Sequence, residues 1–99
     1  MSKDDMRVVA YKVLRYVYAC NKRGVDPDPV DMFNLTGVNE RYLNQVLDNL
    51  IHKEYMTGGH YHTMKITLDG ESYLIENSAM QKVKEFLGAG FDAVLTAMF

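Results

Sequence analysis

Residues 28–52 read DPVDMFNLTGVNERYLNQVLDNLIH. Asp28 stands where a helix cap is needed, and Pro29 follows at the first helical position, where its fixed φ and missing N–H cost nothing. The short helix so begun runs to about Asn34, turns Val30, Met32 and Phe33 inward, and stops at Thr36-Gly37. Asn39 then caps a second helix over about 40–53, in which Leu43, Val46, Leu47, Leu50 and Ile51 recur at helical spacing. Two capped helices separated by a glycine turn are the spacing of a helix-turn-helix, here about residues 29–53.

Upstream, a long helix is expected over about residues 4–21. Met6, Val9, Ala10, Val13, Val17 and Cys20 share one face of it, and Lys12, Arg15 and Lys22 another. Tyr11, Leu14 and Tyr18 form a third stripe, so this helix has more apolar surface than one side of a small core covers. Downstream, the period changes to alternation: Met64, Ile66 and Leu68 are in one phase and Thr63, Lys65 and Thr67 in the other. A two-stranded wing is expected over about 54–67, with strands near 54–58 and 62–67 and Gly58-Gly59 loosening its tip. Thr67 caps a short helix that ends near Asn77, and a last helix follows over about 78–98. Across that helix Gln81, Glu85, Gly88, Asp92 and Thr96 stay in phase opposite Met80, Val83, Leu87, Phe91, Val94 and Met98, which predicts one continuous helix through both glycines.

The expected fold class is therefore α+β, mainly α: one winged helix-turn-helix domain over residues 1–99, with a long N-terminal helix, a two-stranded β wing and an extra C-terminal helix. The closing stretch Ile66-Thr67-Leu68-Asp69-Gly70-Glu71-Ser72-Tyr73-Leu74 resembles the exit from the wing in many winged-helix proteins. Thr67 caps, Gly70 permits close packing, and Tyr73 and Leu74 return to the core. With the flanking helices, the chain as a whole resembles the YjcQ family of small winged-helix-like proteins from Gram-positive bacteria and their phages. That resemblance implies a winged-helix fold.

At 99 residues, with 47% hydrophobic and 24% charged side chains, the chain has room for one core and the composition of a globular protein rather than a disordered one. Its net charge is −2, which argues against a domain built only to grip phosphate backbones. The charge is uneven: residues 1–25 hold six basic and two acidic groups, a surplus of four, whereas residues 26–99 hold five basic and eleven acidic ones. That basic end is either a solvated helix face or a local attraction for an acidic partner. The lone Cys20 cannot form an internal disulfide and fits a reducing cytoplasm, and no run approaches the roughly 18 apolar residues of a membrane span.

In a DNA-reading winged helix, the second helix of the helix-turn-helix enters the major groove. Its outward stripe here is Arg41, Asn44, Gln45, Asp48 and His52. Arg pairs with guanine and Asn or Gln with adenine through two hydrogen bonds each, so these residue types suit base reading. Asp48 is repelled by phosphates, however, and the wing adds only Lys65. Two function classes stay open: a DNA-binding transcription regulator, with double-stranded DNA as partner, and a winged-helix-shaped module for another protein, phage- or host-related, without DNA affinity. No nucleophile elbow, HExxH or phosphate-cradling loop is present, so neither an enzyme nor a cofactor is expected. His52, His60 and His62 are weak candidates for a metal, with His60 and His62 two apart on one strand. The apolar end of the last helix, Phe91, Val94 and Met98, matches the Tyr11, Leu14 and Tyr18 stripe either within one chain or between two, and a homodimer is the expected state, since symmetric winged-helix dimers commonly use such terminal helices.

Overall fold

In the computed structural model, which describes residues 1–99, the first helix, α1, spans Met6–Arg23. The Asp5 carboxylate accepts from the Arg7 N–H at its start. Gly24, at φ 69°, closes it in the left-handed conformation that lets its N–H return to the carbonyls of Asn21 and Cys20. Val8, Val9, Val13, Leu14 and Val17 are wholly buried and Tyr11 and Tyr16 nearly so, which makes α1 the axis on which the other elements pack. The extra apolar stripe on α1 thus finds its partner within the chain. Tyr16 fixes the next helix: its hydroxyl accepts from the Asp28 N–H at 2.9 Å and donates to the Asp31 carboxylate at 3.1 Å. Burial pushes the Tyr16 phenol well above its usual range, so it stays a donor at any physiological pH.

The helix-turn-helix follows as α2, Pro29–Thr36, and α3, Glu40–His52. Asp28 caps α2 through the N–H groups of Val30 and Asp31, and Asn39 caps α3 through that of Tyr42. Gly37 turns between them at φ 68°. Leu43, Val46, Leu47 and Leu50 are the buried side of α3, as their spacing predicts. Val30 is the exception in α2. It is 61% exposed, because Met32 with Leu35 and Thr36 forms the inner face of so short a helix, and a residue two positions from Met32 lies on its far side.

The wing is shorter than its alternating pattern predicts. Strand β1 is Met56–Thr57 and β2 is Lys65–Ile66, paired antiparallel with Met56 opposite Ile66 and Thr57 opposite Lys65. Two local events trim it. Glu54 adopts a left-handed φ of 62° straight after α3, and Tyr61–Thr63 curl into a 3₁₀ turn in which the Thr63 hydroxyl donates to the His60 carbonyl at 2.9 Å. His60 and His62 therefore do not share one strand face. Asn21 of α1 substitutes for a third strand: its amide oxygen accepts from the Ile66 N–H at 2.8 Å and its NH₂ donates to the Met64 carbonyl at 3.2 Å.

Thr67 caps α4, Leu68–Glu76, through the Gly70 N–H, and Asn77 ends α4 while capping α5, Ser78–Ala97. The continuous helix expected here is broken. Gly88 sits at φ 66° and ψ −167°, a conformation open only to glycine, which bends α5 into two helical parts. The bend lays Phe91 and Leu95 on α1, with the Phe91 ring 5.9 Å from that of Tyr11, and it turns Val94 out to 55% exposure although Val94 is in phase with Phe91 in a straight helix. The architecture is mainly α with one two-stranded antiparallel sheet, in the element order of a winged helix. No helix is long and apolar enough to cross a membrane.

Candidate nucleic-acid interface

The cap at Asn39 and the four buried side chains of α3 fix that helix against the core, and so fix what its other side displays. Arg41, Asn44, Gln45, Asp48 and His52 are all exposed and line one shallow, open surface with Asn49, without a hydrophobic residue among them. Asn49 follows Gln45 by one turn and donates to the Gln45 carbonyl at 3.1 Å, so it belongs to the stripe; its position four residues on already carries that information. The ion pairs of the chain, Arg7 with Asp5 and Arg15 with Asp92, lie elsewhere, which leaves the Arg41 guanidinium without a carboxylate partner.

The wing meets this surface through an unforeseen residue. Because residues 61–63 curl, the Tyr61 ring reaches back to 6.2 Å from that of Phe33 in α2, and its hydroxyl donates to the Asn44 side-chain oxygen at 3.4 Å. Burial, and after it the Glu40 carboxylate, pushes the Tyr61 phenol up, so it keeps the proton it donates at neutral pH. Nothing in the alternating pattern signals this, since a regular hairpin carries Tyr61 to the tip and away from α3. The outer surface of α3 is thus a set of exposed donors and acceptors with one unpaired cation, Arg41, and one unpaired anion, Asp48.

Lys65 does not join it. On β2 it lines a separate shallow groove beside the C-terminal end of α1, with Tyr18, Lys22 and Asp26. The histidines do not converge either: His52 ends α3, His60 precedes the 3₁₀ turn and His62 lies in it, and no three His, Cys, Asp or Glu side chains come together in a group able to hold a metal ion.

Of the residues expected at a contact between copies, Tyr11 and Leu14 are in the core, 2% and 0% exposed, and Phe91 covers Tyr11 at 8% exposure. The packing within the chain that the sequence left open is the one observed, so these three are closed to a second copy that meets the folded surface. Tyr18 and Met98 are half-buried, and Val94 faces out.

The model of one protein family, described as YjcQ protein, matches residues 11–89. No curated protein and no solved structure matches the chain.

Proposed function

The chain belongs to the YjcQ family, and from that premise and the free polar surface of α3 we propose that it is a small DNA-binding regulator, not an enzyme, that works in the cytoplasm as a homodimer and reads duplex DNA with α3. The observation that carries the reading is the composition of that surface: Arg41 and Gln45, with no side-chain partner, and Asn44 and Asn49, each held by a contact within the chain, stand exposed along one capped helix. These are the side chains that form paired hydrogen bonds to guanine and adenine edges in the major groove. The neutral balance of Arg41 and Asp48 limits phosphate contacts, so affinity should be modest and its salt dependence shallow.

Anisotropy titrations of mixed duplex DNA at low salt, followed by amide NMR, test this directly. Arg41→Ala should weaken binding by about 10- to 100-fold, corresponding to roughly 1–3 kcal/mol, whereas Asp48→Asn should strengthen nonspecific binding. Shifts absent from residues 40–52 would remove the basis of the proposal.

A second reading, a module for another protein, is favoured by one feature: Tyr61 occupies Asn44, and the paired part of the wing is only two residues on each strand, with its Lys65 turned to a separate groove. Capture of a specific protein partner by a chain with no DNA affinity would decide for it. The homodimer follows from the shortage of contacts, because two copies double what one α3 can hold on a two-fold site. The uncovered side of α5, with Val94 at 55% exposure between the exposed Gly90, Ala93 and Ala97, is the surface such a pair would use. Light scattering over a concentration series should give the mass of two chains; a monomer at the highest concentration contradicts it.

A further inference from the structure

The basic surplus of the N-terminal quarter has a definite place in the fold. Arg15, Lys22 and Arg23 of α1 and Lys84 of α5 line one cavity of about 340 Å³ between α1, α4 and α5, and no carboxylate is among its lining residues. In a chain of net charge −2, four cations around one concavity is a concentration that chance solvation of a helix face does not require. Lys22 and Arg23 also stand in the last turn of α1, where cations favour the helix end, and Arg23 donates to the Ala19 carbonyl at 3.4 Å. Arg15 and Lys84 have no such role at that helix end, yet they face the same space.

One detail lowers the positive charge of the cavity and another suits it to an anion. Arg15 is held between the Tyr11 hydroxyl and Asp92, each at 2.8 Å, so its position is fixed, and Asp92 offsets one positive charge out of four. The carbonyls of Leu74 and Ile75, at the end of α4, would aim acceptor dipoles toward an anion. Gln81 takes both, its NH₂ donating at 3.2 Å and 2.6 Å. The nearby Glu71 accepts from the Tyr18 hydroxyl at 3.4 Å and is not a lining residue.

Ala19, Leu74, Leu95 and Ile75 make the apolar part of the remaining wall, beside the polar Gln81 and Thr96; Ile75, 52% exposed, offers most of that surface, since Leu74 and Leu95 are 3% and 5% exposed. Inorganic phosphate alone would satisfy the cations and leave this wall bare. No α3 residue lines the cavity, so it is independent of the proposed DNA surface. We propose that the cavity between α1, α4 and α5 binds a small amphipathic anion, an aromatic or branched hydrocarbon body carrying a carboxylate, phosphate or sulfonate. The body lies on Ile75, Leu74 and Leu95, and the charged group is held among Lys22, Arg23 and Lys84. The size is within the range of small-molecule sites, about 300–1,000 Å³.

The probe is 8-anilinonaphthalene-1-sulfonate, compared with N-phenyl-1-naphthylamine, which has the same ring frame without the charge, and with inorganic phosphate. One sulfonate probe per chain should bind, with amide shifts centred on Ile75, Lys84 and Thr96. The uncharged amine and phosphate should each bind at least about tenfold more weakly. The double variant Lys22→Gln with Lys84→Gln changes only exposed side chains and places no anion at the end of α1; it should melt within a few degrees of the parent and lose about tenfold in affinity for the sulfonate. Equal binding of the uncharged amine, undiminished binding by the double variant, or shifts centred on the separate groove of Met6, Tyr55 and Tyr73 would overturn the proposal. So would a single-stranded oligonucleotide that shifts the cavity residues and displaces the probe, since the cations would then be a backbone-phosphate surface.

Discussion

Gly70→Ala should lower the melting temperature by about 15–20 °C, a loss of about 3 kcal/mol in a chain of this length. Gly70 lies in the first turn of α4, and a Cβ there would overlap the Tyr55 carbonyl oxygen and come within 3.0 Å of Ile66. The obstruction at Tyr55 is backbone, so no rotamer relieves it. That carbonyl is also pinned, because it accepts from the Thr67 N–H at 3.1 Å. Around it the Thr67 hydroxyl both accepts from the Gly70 N–H and donates to the Glu54 carbonyl, and the Tyr55 and Tyr73 rings stack at 4.3 Å. Moving α4 away by the ångström or more that a methyl needs would break the cap and the stack together. Calorimetry on the variant decides the point: a melt within a few degrees of the parent would mean that the approach of α4 to the wing is not as close as described. Ile66→Ala in the same background should rescue little, because the Tyr55 contact remains.

The exit from the wing is legible in the sequence for the same reason that it is fragile. Thr67, Gly70, Tyr73 and Leu74 each do something few residues can do at that spot: cap, admit a carbonyl, stack, and fill the core. The caps at Asp28 and Asn39 are equally readable, since a short polar side chain before a helix has one dominant use. The inner face of α3 follows from spacing alone, and the polar stripe on its outer side follows as the complement.

Other features depend on contacts that periodicity does not carry. Gly88 is in phase with Gln81, Glu85 and Asp92, so a pattern of polar residues passes through it without showing that φ has changed sign. The break is chosen by what lies beyond it, the burial of Phe91 and Leu95 against α1. The wing pattern likewise cannot show that residues 61–63 form a 3₁₀ turn, and so Tyr61 beside Asn44 and Lys65 beside Lys22 rather than Arg41 are both invisible from the alternation. The cationic cavity is half readable. Arg15 and Lys22 mark a basic side of α1, but Lys84 reaches the same space only because α5 packs on α1, a relation between residues more than sixty apart.

Phe91→Ala should be the most damaging substitution in the C-terminal third, costing about 3–5 kcal/mol. Phe91 is 8% exposed and leans on Tyr11, and the Arg15 guanidinium lies 5.7 Å from the Tyr11 ring centre and 5.9 Å from that of Phe91. Removing the ring opens a void beside a buried tyrosine and takes away one of two aromatic faces from the cation. Phe91→Leu, which keeps most of the volume, should cost under about 1.5 kcal/mol. The size of the loss tests the packing, and its concentration dependence tests the topology. If the bent second part of α5 covers its own α1, the shift in melting temperature for Phe91→Ala is the same at any protein concentration. If that segment were instead exchanged between copies, Phe91 would meet Tyr11 only in the associated form and the shift itself would change with concentration, whereas a pair joined at the outer side of α5 raises both melts alike and leaves the shift unchanged. A concentration-independent shift leaves Tyr11 and Leu14 as core residues of one chain and confines any contact between copies to the outer side of α5, where Val94 stands.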